Sequence, residues 1–222
     1  MPSISVSAAL QDILASPGAV RLHAQLSREL EDEAMRRAAF LDAITPDDKA
    51  EFINGHVIMH SPARARHNQA VGNLHTLLRL HVTQLDLGLV GVEKWLVSLT
   101  RNDYEPDVCF WPRTVADRFT PDQMRFPAPA FIAEVLSAST RTRDLGVKLE
   151  DYAGHDVAEY WVIDPDAAAL SQYLWRGPAY ELALRSNSGE VISEAIDGFR
   201  LAIPALFQDA AFQHALNAGR SN

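Results

Sequence analysis

The spacing of hydrophobic positions predicts helices in two parts of the chain. Between Arg66 and Leu85, apolar residues recur at steps of three and four, which is the repeat of an amphipathic helix of about five turns. These positions are Val71, Leu74, Leu78, Val82 and Leu85. A similar spacing of apolar residues among charged ones in "LSRELEDEAMRRAAFLDAI" predicts that residues 1–45 form an N-terminal helical extension. Residues 46–222 would then form the main domain.

Short apolar runs separated by turn residues predict strands in the main domain. "EFINGHVIMHSP" contains two runs joined by Asn54-Gly55, a strong signal for a β-hairpin. "EKWLVSLT" and "DVCFW" flank the polar stretch "RNDYEP", so we expect these two strands to pair antiparallel. Near the C-terminus, turn residues separate "LSQYLW", "AYELAL" and "EVISEAI", which predicts a β-meander.

Helical segments between and after these strands indicate a single α/β (α+β) domain. "TRDLGVKLEDYAGHD" predicts one short helix with Gly154 as its C-cap, and "VAEYWVID" predicts the strand that follows it. "FRLAIPALFQDAAFQHAL" predicts a last strand and a closing helix. With 222 residues, of which 47% are hydrophobic, the chain is long enough to bury a full core.

The stretch "FIAEVLS", residues 131–137, contains a carboxylate at a position where burying an unpaired charge would be unfavourable. In a strand, Phe131, Ala133 and Val135 would point to one face of the sheet, and Ile132, Glu134 and Leu136 to the other. Both faces are apolar except at Glu134, as in the centre of a covered sheet. An unpaired charge there is unfavourable, so Glu134 must have a partner. A neighbouring arginine, backbone donors or a metal ion could each supply one.

Three acidic residues are expected at strand ends or in the covered strand, namely Glu51, Asp107 and Glu134. Carboxylates on neighbouring strands suit Mg²⁺, which takes oxygen ligands and keeps several waters, and the backbone carbonyl of Val135 could complete the protein's share of the shell. Lys148 lies at the edge of the apolar face of the next helix, where it could reach the site and orient a water. Taken alone, a lysine at such a position is more often solvated than catalytic.

Charge and cysteine content narrow the classes of function. The formal net charge of −9 is unusual for a protein that neutralises nucleic-acid phosphates, although a local basic stripe can coexist with an acidic remainder. The one cysteine, Cys109, excludes an internal disulfide framework and a cysteine-rich zinc site. We find no transmembrane run and no signal peptide in the sequence, so we expect no membrane association and a cytoplasmic location.

Three segments resemble the Uma family of endonucleases within the PD-(D/E)XK restriction-endonuclease-like superfamily. They are "EFINGHVIMHSPARARH" (51–67), "EPDVCFWP" (105–112) and "PAFIAEVLSASTRTRDLGVKLEDYAGHDVAEYWVIDP" (129–165). The resemblance covers about residues 51–207. It implies a restriction-endonuclease-like core, in which a mixed central β-sheet is flanked by helices. It also implies hydrolysis of DNA phosphodiester bonds with Mg²⁺, for which Mn²⁺ can substitute.

The resemblance also assigns roles to single residues. It implies that Asp107 and Glu134 hold the metal, and that Glu51 is an additional acidic residue of the site. The superfamily usually carries a lysine two residues after the glutamate, where this chain has Leu136. The Uma family places that lysine on the following helix, at the position of Lys148. Lys148 would position the attacking water or help to deprotonate it, and Glu51 would assist through a water of the metal shell.

DNA would be the partner of this site, with contacts from local basic residues. The candidates are Arg64, Arg66, His67, Arg141 and Arg143, of which His67 also falls at a position of the family pattern. A homodimer is expected only by analogy with nucleases that cut both strands. The alternative function is a non-catalytic scaffold with the nuclease fold that binds a protein partner, which the net charge favours and the intact Asp, Glu and Lys set disfavours.

Overall fold

A computed structural model describes residues 6–219, with the side chains of residues 6 and 7 left out. Its helices are α1 (Val6–Ala15), α2 (Ala19–Ala43), α3 (Ala65–Gln84), α4 (Arg113–Ala116), α5 (Arg141–Asp144), α6 (Val147–Gly154) and α7 (Asp209–Gly219). Its strands are β1 (Ala50–Ile53), β2 (His56–Met59), β3 (Gly88–Val92), β4 (Leu96–Ser98), β5 (Asp103–Tyr104), β6 (Val108–Pro112), β7 (Arg125–Phe126), β8 (Phe131–Val135), β9 (Glu159–Asp164), β10 (Ala169–Trp175), β11 (Tyr180–Ser186), β12 (Glu190–Ile192) and β13 (Arg200–Ala202). A short 3-10 helix, Ile203–Leu206, precedes α7.

A six-stranded mixed sheet forms the centre of the protein, with the strand order β11-β10-β9-β8-β6-β3. Strands β8 and β9 run parallel, and the other neighbours run antiparallel. Phe131 and Val135 of β8 pack on one side with the apolar face of α3, while Ile132 and Leu136 pack on the other side with Tyr152 of α6. This alternation was predicted, and it leaves Glu134 as a carboxylate in a fully covered strand.

The predicted class, a mixed sheet flanked by helices, is therefore confirmed. The hairpin of β1 and β2 turns at Asn54 and Gly55, both with positive φ, as the Asn-Gly signal predicts. The long helix is also confirmed as α3, which buries Val71, Leu74 and Leu78. Helices α1 and α2 occupy the N-terminal region that the sequence predicts to be helical. The division into an extension, 1–45, and a main domain, 46–222, remains a prediction.

The predicted pairing of "EKWLVSLT" with "DVCFW" is wrong. Strand β4 of the first segment pairs with β5 and β7 in a second sheet of five strands, whereas β6 lies in the central sheet between β3 and β8. The reason is that the polar stretch "RNDYEP" itself contains a strand, β5. The chain reverses between β4 and β5 in a turn that the Leu99 N–H closes by donating a hydrogen bond to the Asn102 carbonyl. Tyr104 of β5 is fully buried, so this strand belongs to the core.

Two further predictions need correction. The meander continues only from β9 through β10 to β11, because β12 pairs instead with β13 in a separate two-stranded sheet. The stretch "TRDLGVKLEDYAGHD" forms two helices, α5 and α6, which separate at Leu145 and Gly146. A side chain at Gly146 would meet the Thr142 carbonyl oxygen at 2.7 Å, so this close passage requires glycine. The C-cap of α6 is His155, not Gly154.

Candidate active site

The ammonium group of Lys148 lies at the centre of a cluster of buried carboxylates. Its Nζ atom is 2.8 Å from Glu51 Oε1, 2.8 Å from Glu134 Oε1 and 3.6 Å from Asp144 Oδ1. Glu51 belongs to β1 of the five-stranded sheet and Glu134 to β8 of the central sheet. Lys148, which is only 2% exposed, therefore connects the two sheets from α6. The structure thus brings together three of the four residues predicted to be catalytic.

Asp107, the fourth of these residues, lies directly before β6 and faces the same region. The antiparallel register pairs Val108 with Ala133, so the next position along the two strands sets Asp107 opposite Glu134. Asp107 Oδ2 accepts a hydrogen bond of 2.8 Å from the Val135 N–H. It also lies 3.3 Å from Nε2 of His67 in the first turns of α3. Asp107 is therefore held in place from both the sheet and the helix.

The helix α6 places a second polar side chain next to Lys148. Tyr152 follows Lys148 by four residues, so both point from the same side of α6. The Tyr152 hydroxyl donates a hydrogen bond of 3.1 Å to Glu134 Oε1, the oxygen that Lys148 also contacts. The Lys148 Nζ atom lies 5.6 Å from the centre of the Tyr104 ring, within the range of a cation–π contact. Together these contacts fix the position of the ammonium group.

Burial and mutual repulsion dominate the protonation of the cluster. Burial alone would lower the pKa of Lys148, but Glu134, Glu51 and Asp144 raise it well above its usual value, so Lys148 is an ammonium ion. Burial raises the pKa of Glu134 well above its usual range; Lys148 opposes this rise, and the charges of Asp144, Asp107 and Glu51 add to it. The excess of carboxylates over cations is thus unfavourable, and an added cation would relieve it.

Glu51 and His67 show the opposite balance between burial and nearby charge. Burial alone would raise the pKa of Glu51, but Lys148 and then His60 lower it to about 2, so Glu51 is ionised. Burial alone would lower the pKa of His67, but its hydrogen bond to Asp107 and the charge of Asp107 raise it. Asp107 therefore favours the protonated form of His67. A protonated His67 would in turn stabilise a negatively charged oxygen close to it.

The carboxylate oxygens of the cluster fit a hard divalent cation. The hydrogen bonds and ion pairs of Glu134 use Oε1 and those of Asp107 use Oδ2, so within the described residues Glu134 Oε2 and Asp107 Oδ1 have no hydrogen-bond donor. Among residues 6–219 no three His, Cys, Asp or Glu side chains converge as ligands of one ion. A site here would have two carboxylates and would depend on water or backbone oxygen for the remaining ligands, as Mg²⁺ sites commonly do.

The residues predicted to contact DNA differ in whether their side chains already bind other residues of the protein. Arg66 forms an ion pair with Asp166, and Arg141 forms one of 2.8 Å with Asp164. Arg64 is exposed and has no ion-pair partner in the described part of the chain. Arg143 is half-buried, and its Nε atom has no hydrogen-bond acceptor there. His67 contacts Asp107, so the structure places it inside the carboxylate cluster rather than on the surface.

Sequence reasoning missed several residues of the cluster. Asp144 is 1% exposed, and its Oδ1 atom makes no hydrogen bond among the described residues. Its spacing of four residues from Lys148 was the available signal, since such pairs lie on one helical face. Tyr152 shows the same spacing on the other side of Lys148. His60, 3.5 Å from Glu51 Oε2, gave no signal of this kind, because the contact depends on how β1 and β2 end.

Glu105 connects the cluster to a cleft of about 650 Å³. Its backbone N–H donates to Glu51 Oε1 at 3.1 Å, and the residue lines the cleft together with Trp95, Phe119 and Phe126. Its Oε2 atom is buried and has no hydrogen-bond partner among the described residues. Burial, followed by the charge of Glu51, raises the pKa of Glu105 to about 7. The cleft thus combines aromatic walls with a carboxyl group next to the candidate active site.

Comparison with known proteins identifies the family of the chain. The model of the Uma2 family, described as "Putative restriction endonuclease", matches residues 33–204 of the chain. The chain belongs to the Uma2 family. The matched segment contains all four clustered residues and the whole central sheet, so the resemblance drawn from the sequence is confirmed.

Two individual proteins are similar to this Uma2 chain. "Uncharacterized protein sll1609" of Synechocystis sp. is 31% identical over 132 residues, which cover 57% of this chain and 72% of the relative. The crystal structure of "a putative nuclease belonging to DUF820" from Anabaena variabilis superimposes with a TM-score of 0.65 at 17% identity, covering 76% of this chain and 94% of that one. Because this identity is low, the similarity to the Anabaena variabilis structure shows the shared fold alone. No helix among residues 6–219 is both long and apolar enough to span a membrane.

Proposed function

We propose that this Uma2 protein is a Mg²⁺-dependent endonuclease that hydrolyses DNA phosphodiester bonds. The observation that carries the proposal is the arrangement of Lys148 between Glu51 and Glu134, with Asp107 on the neighbouring strand. A purely structural core has no need for three buried carboxylates around one ammonium group with a fourth, Asp107, on the neighbouring strand, because their repulsion costs stability. A site that binds a cation and a phosphate uses the same arrangement.

Asp107 and Glu134 would hold the metal, each through the oxygen that has no donor, and the Val135 carbonyl would add a backbone ligand. When bound, Mg²⁺ would lower the pKa of a water molecule and stabilise the charge that grows on the phosphate; Mn²⁺ would substitute. Val135 already donates its N–H to Asp107, which fixes the carboxylate while leaving its other oxygen free. His67 supports Asp107 from the side of α3.

Lys148 would position the attacking water rather than deprotonate it. Because the surrounding carboxylates keep Lys148 protonated, it can donate a hydrogen bond but cannot accept a proton. Glu51 is ionised and shares Lys148 with Glu134, so it can orient the ammonium group and accept a hydrogen bond from water. The water oxygen would attack phosphorus as its proton passes to solvent, and the bond to the leaving sugar oxygen would break as that oxygen takes up a proton.

DNA would approach over the N-terminus of α3 and over α5, where the candidate basic residues lie. Arg64 is free to contact phosphate, and Arg143 has an unsatisfied nitrogen. The ion pairs of Arg66 and Arg141 are exposed, so exchanging their carboxylate partners for phosphates costs little. The cytoplasm stays the predicted compartment, and the free buried thiol of Cys109 fits it.

Thermal melts and DNA cleavage with and without Mn²⁺ test the proposal. A metal that binds only the folded protein raises its melting temperature. We expect this rise in the wild type, together with nicking of supercoiled DNA, and we expect Glu134→Gln and Asp107→Asn to lose both. Glu150→Gln makes the same chemical change on an exposed position of α6 and should keep both.

The scaffold remains the second candidate, because Glu134 already has Lys148 and Tyr152 as partners within the protein. A scaffold predicts no rise in melting temperature with saturating Mn²⁺ and no cleavage by the wild type. Metal-dependent stabilisation that survives in both Glu134→Gln and Asp107→Asn would place the metal elsewhere and contradict the proposed site.

A further inference from the structure

The cleft beside Glu105 has a size that suits a small ligand. Its volume of about 650 Å³ lies within the usual range for pockets that bind small molecules. It is lined by β3, β4, the segment before β1 and the segment that leads from α4 to β7. Lys94 and Met124 are exposed lining residues, so the cleft is open at the surface of the protein. A ligand can therefore enter it from solution.

Three aromatic rings lie together among the lining residues. Phe126 is buried, and its ring centre lies 4.6 Å from that of Trp95 and 5.1 Å from that of Phe119. Trp95 and Phe119 are only half-buried, so each retains surface for contact with a ligand. Rings that are already held in place stack on a flat heterocycle at little cost in side-chain entropy, and every nucleobase offers such a face.

Glu105 adds a hydrogen-bond acceptor that has no donor within the described part of the protein. The residue is 4% exposed, and its Oε2 atom is buried without a hydrogen-bond partner among residues 6–219. Such an atom is unfavourable, which indicates that a ligand supplies the missing donor. Adenine, cytosine and guanine carry exocyclic amino groups, and glutamate is a known acceptor for the amino group of cytosine. A carboxyl group accepts this bond whether or not it is protonated.

The charges around the cleft favour the base of a nucleotide over its phosphate. Asp48 and Asp122 line the cleft together with Glu105. Lys94 is the one lining cation among the described residues. Acidic groups in excess repel a phosphate, whereas a neutral base meets no such repulsion. The Glu105 N–H donates to Glu51 Oε1 at 3.1 Å, so the cleft adjoins the carboxylate cluster. A base in the cleft and a phosphate at the cluster can therefore belong to one DNA strand.

We propose that the cleft binds an unpaired nucleobase of the DNA, beside the phosphodiester bond that is cut. Trp95 and Phe119 stack on the base, and Glu105 accepts a hydrogen bond from its exocyclic amino group. The inference rests on the proposed nuclease function and names its substrate class, which is DNA with a bulge, a flap or a single-stranded segment. A paired base is stacked inside the duplex, and unpairing it costs free energy. Stacking also supplies affinity that a protein with a net charge of −9 draws only weakly from phosphate contacts.

Affinity for DNA with and without the unpaired base gives the first test. Fluorescence anisotropy is measured with a chelator present, on duplexes that carry one unpaired deoxyadenosine or one abasic residue at the same position. The wild type should bind the deoxyadenosine bulge about five- to a hundredfold more tightly, the range for stacking one base on an aromatic ring. Trp95→Ala should lose this preference, and Trp95→Phe, which keeps a ring, should retain most of it.

Trp175→Ala is the matched control for Trp95→Ala. Trp175 is a half-buried tryptophan on β10 and lies outside the residues that line the cleft. This variant loses a ring of the same size and should keep the full preference for the base. Melting temperatures show whether each alanine variant is folded in the assay. The comparison of the two bulges in the wild type and the test of Glu105 do not depend on the stability of Trp95→Ala.

The amino group of the base tests the role of Glu105. Deoxynebularine has the purine ring of deoxyadenosine without the exocyclic amino group, so it can stack but cannot donate to Oε2. The wild type should bind a deoxynebularine bulge about tenfold less tightly than the deoxyadenosine bulge, as expected for the loss of one hydrogen bond to a carboxyl group. Glu105→Leu should bind the two bulges equally, because the acceptor is gone and the rings remain.

Equal affinity of the wild type for the deoxyadenosine and abasic bulges would overturn the proposal, because the cleft then takes no base. A preference that survives in Trp95→Ala, or a distinction between the two purines that survives in Glu105→Leu, places the base elsewhere and also contradicts it. These results come from binding without metal, whereas melting and cleavage with Mn²⁺ decide the proposed nuclease function. Cleavage without a preference for the base contradicts this inference alone. A preference for the base without metal-dependent cleavage contradicts the nuclease and leaves the base site.

Discussion

At the scale of single residues, the buried carboxylates around Lys148 determine how the protein responds to protons. Glu134, Glu51 and Asp144 all face one ammonium group, and only Glu51 has its pKa lowered, to about 2. The pKa of Asp144 is raised, chiefly by burial and against the effect of Lys148. A folded protein that holds carboxylates at raised pKa binds protons more tightly than its unfolded chain, so these groups favour stability at low pH.

Glu105 allows a prediction about pH because its pKa is raised from 4.5 to about 7. Below pH 4.5 the group is protonated in both states and has no cost. As pH rises from 4.5 through 7, the unfolded chain loses this proton first, so the stability contributed by Glu105 is lost over that interval. Glu105→Gln should therefore be more stable than the wild type above pH 7, with the difference shrinking toward pH 4.5.

Melting temperatures from pH 4.5 to 8 in the presence of a chelator measure this difference. The chelator matters, because a bound cation would shift the neighbouring carboxylates as well. Curves for Glu105→Gln and the wild type that stay parallel over the whole interval would show that Glu105 titrates normally.

The carboxylate in the covered strand β8 could be predicted from alternation alone, since Glu134 interrupts two apolar faces. Its partner Lys148 could be predicted only through family resemblance, because a separation of 14 residues along the chain says nothing about distance in space. Asp144 and Tyr152 could have been added from their spacing of four on either side of Lys148. His60 and Glu105 contact Glu51 from positions just beyond the ends of β2 and β5 in the same sheet, and the sequence pattern did not predict where those strands end.

At the scale of elements, the break between α5 and α6 decides where Lys148 points. A Cβ atom at Gly146 would lie 2.7 Å from the Thr142 carbonyl oxygen, so Gly146→Ala must displace backbone. We expect a loss of about 1–3 kcal/mol in unfolding free energy, as for other overpacked sites. Since Lys148 follows two residues later, cleavage activity should fall with it. Urea titration and a nicking assay measure the two effects.

Gly154→Ala provides the matched control within α6. A Cβ atom at Gly154 meets no atom within 4 Å, and alanine has the higher helix propensity. Its unfolding free energy should stay unchanged or rise by up to about 1 kcal/mol. If both alanine variants behave alike, the close passage at Gly146 is not what separates α5 from α6.

Strong local signals predicted most helices and strands correctly. The predicted pairing of strands was wrong where a short strand, β5, lies between two longer segments. The Asn-Gly turn and the repeat of α3 are local, so β1, β2 and α3 appear as predicted. Strand β5 has two residues within a polar stretch, too few for any periodic pattern, yet it redirects β4 into the second sheet. Non-local pairing of this kind depends on the whole fold rather than on the segment.

At the scale of the whole molecule, a net charge of −9 must be reconciled with binding to DNA. Each phosphate contacted by Lys or Arg releases condensed counterions, so affinity falls as salt rises even for an acidic protein. The contacts would be few and local, supplied by the basic residues beside the cluster. Binding should therefore be weak at physiological salt and steeply dependent on salt at lower concentrations.

The number of phosphate contacts can be measured from that dependence. We expect Arg64→Ala and Arg143→Ala each to lower the slope of log affinity against log salt by about 0.9, the value for one phosphate contact on duplex DNA. Arg185→Ala is the control, because Arg185 is exposed on β11, at the far edge of the central sheet from β6. Fluorescence anisotropy with Asp107→Asn as the common background avoids cleavage during the titration. If all three variants keep the slope of this background, DNA does not cross the site between α3 and α5, and the proposed path of the substrate is wrong.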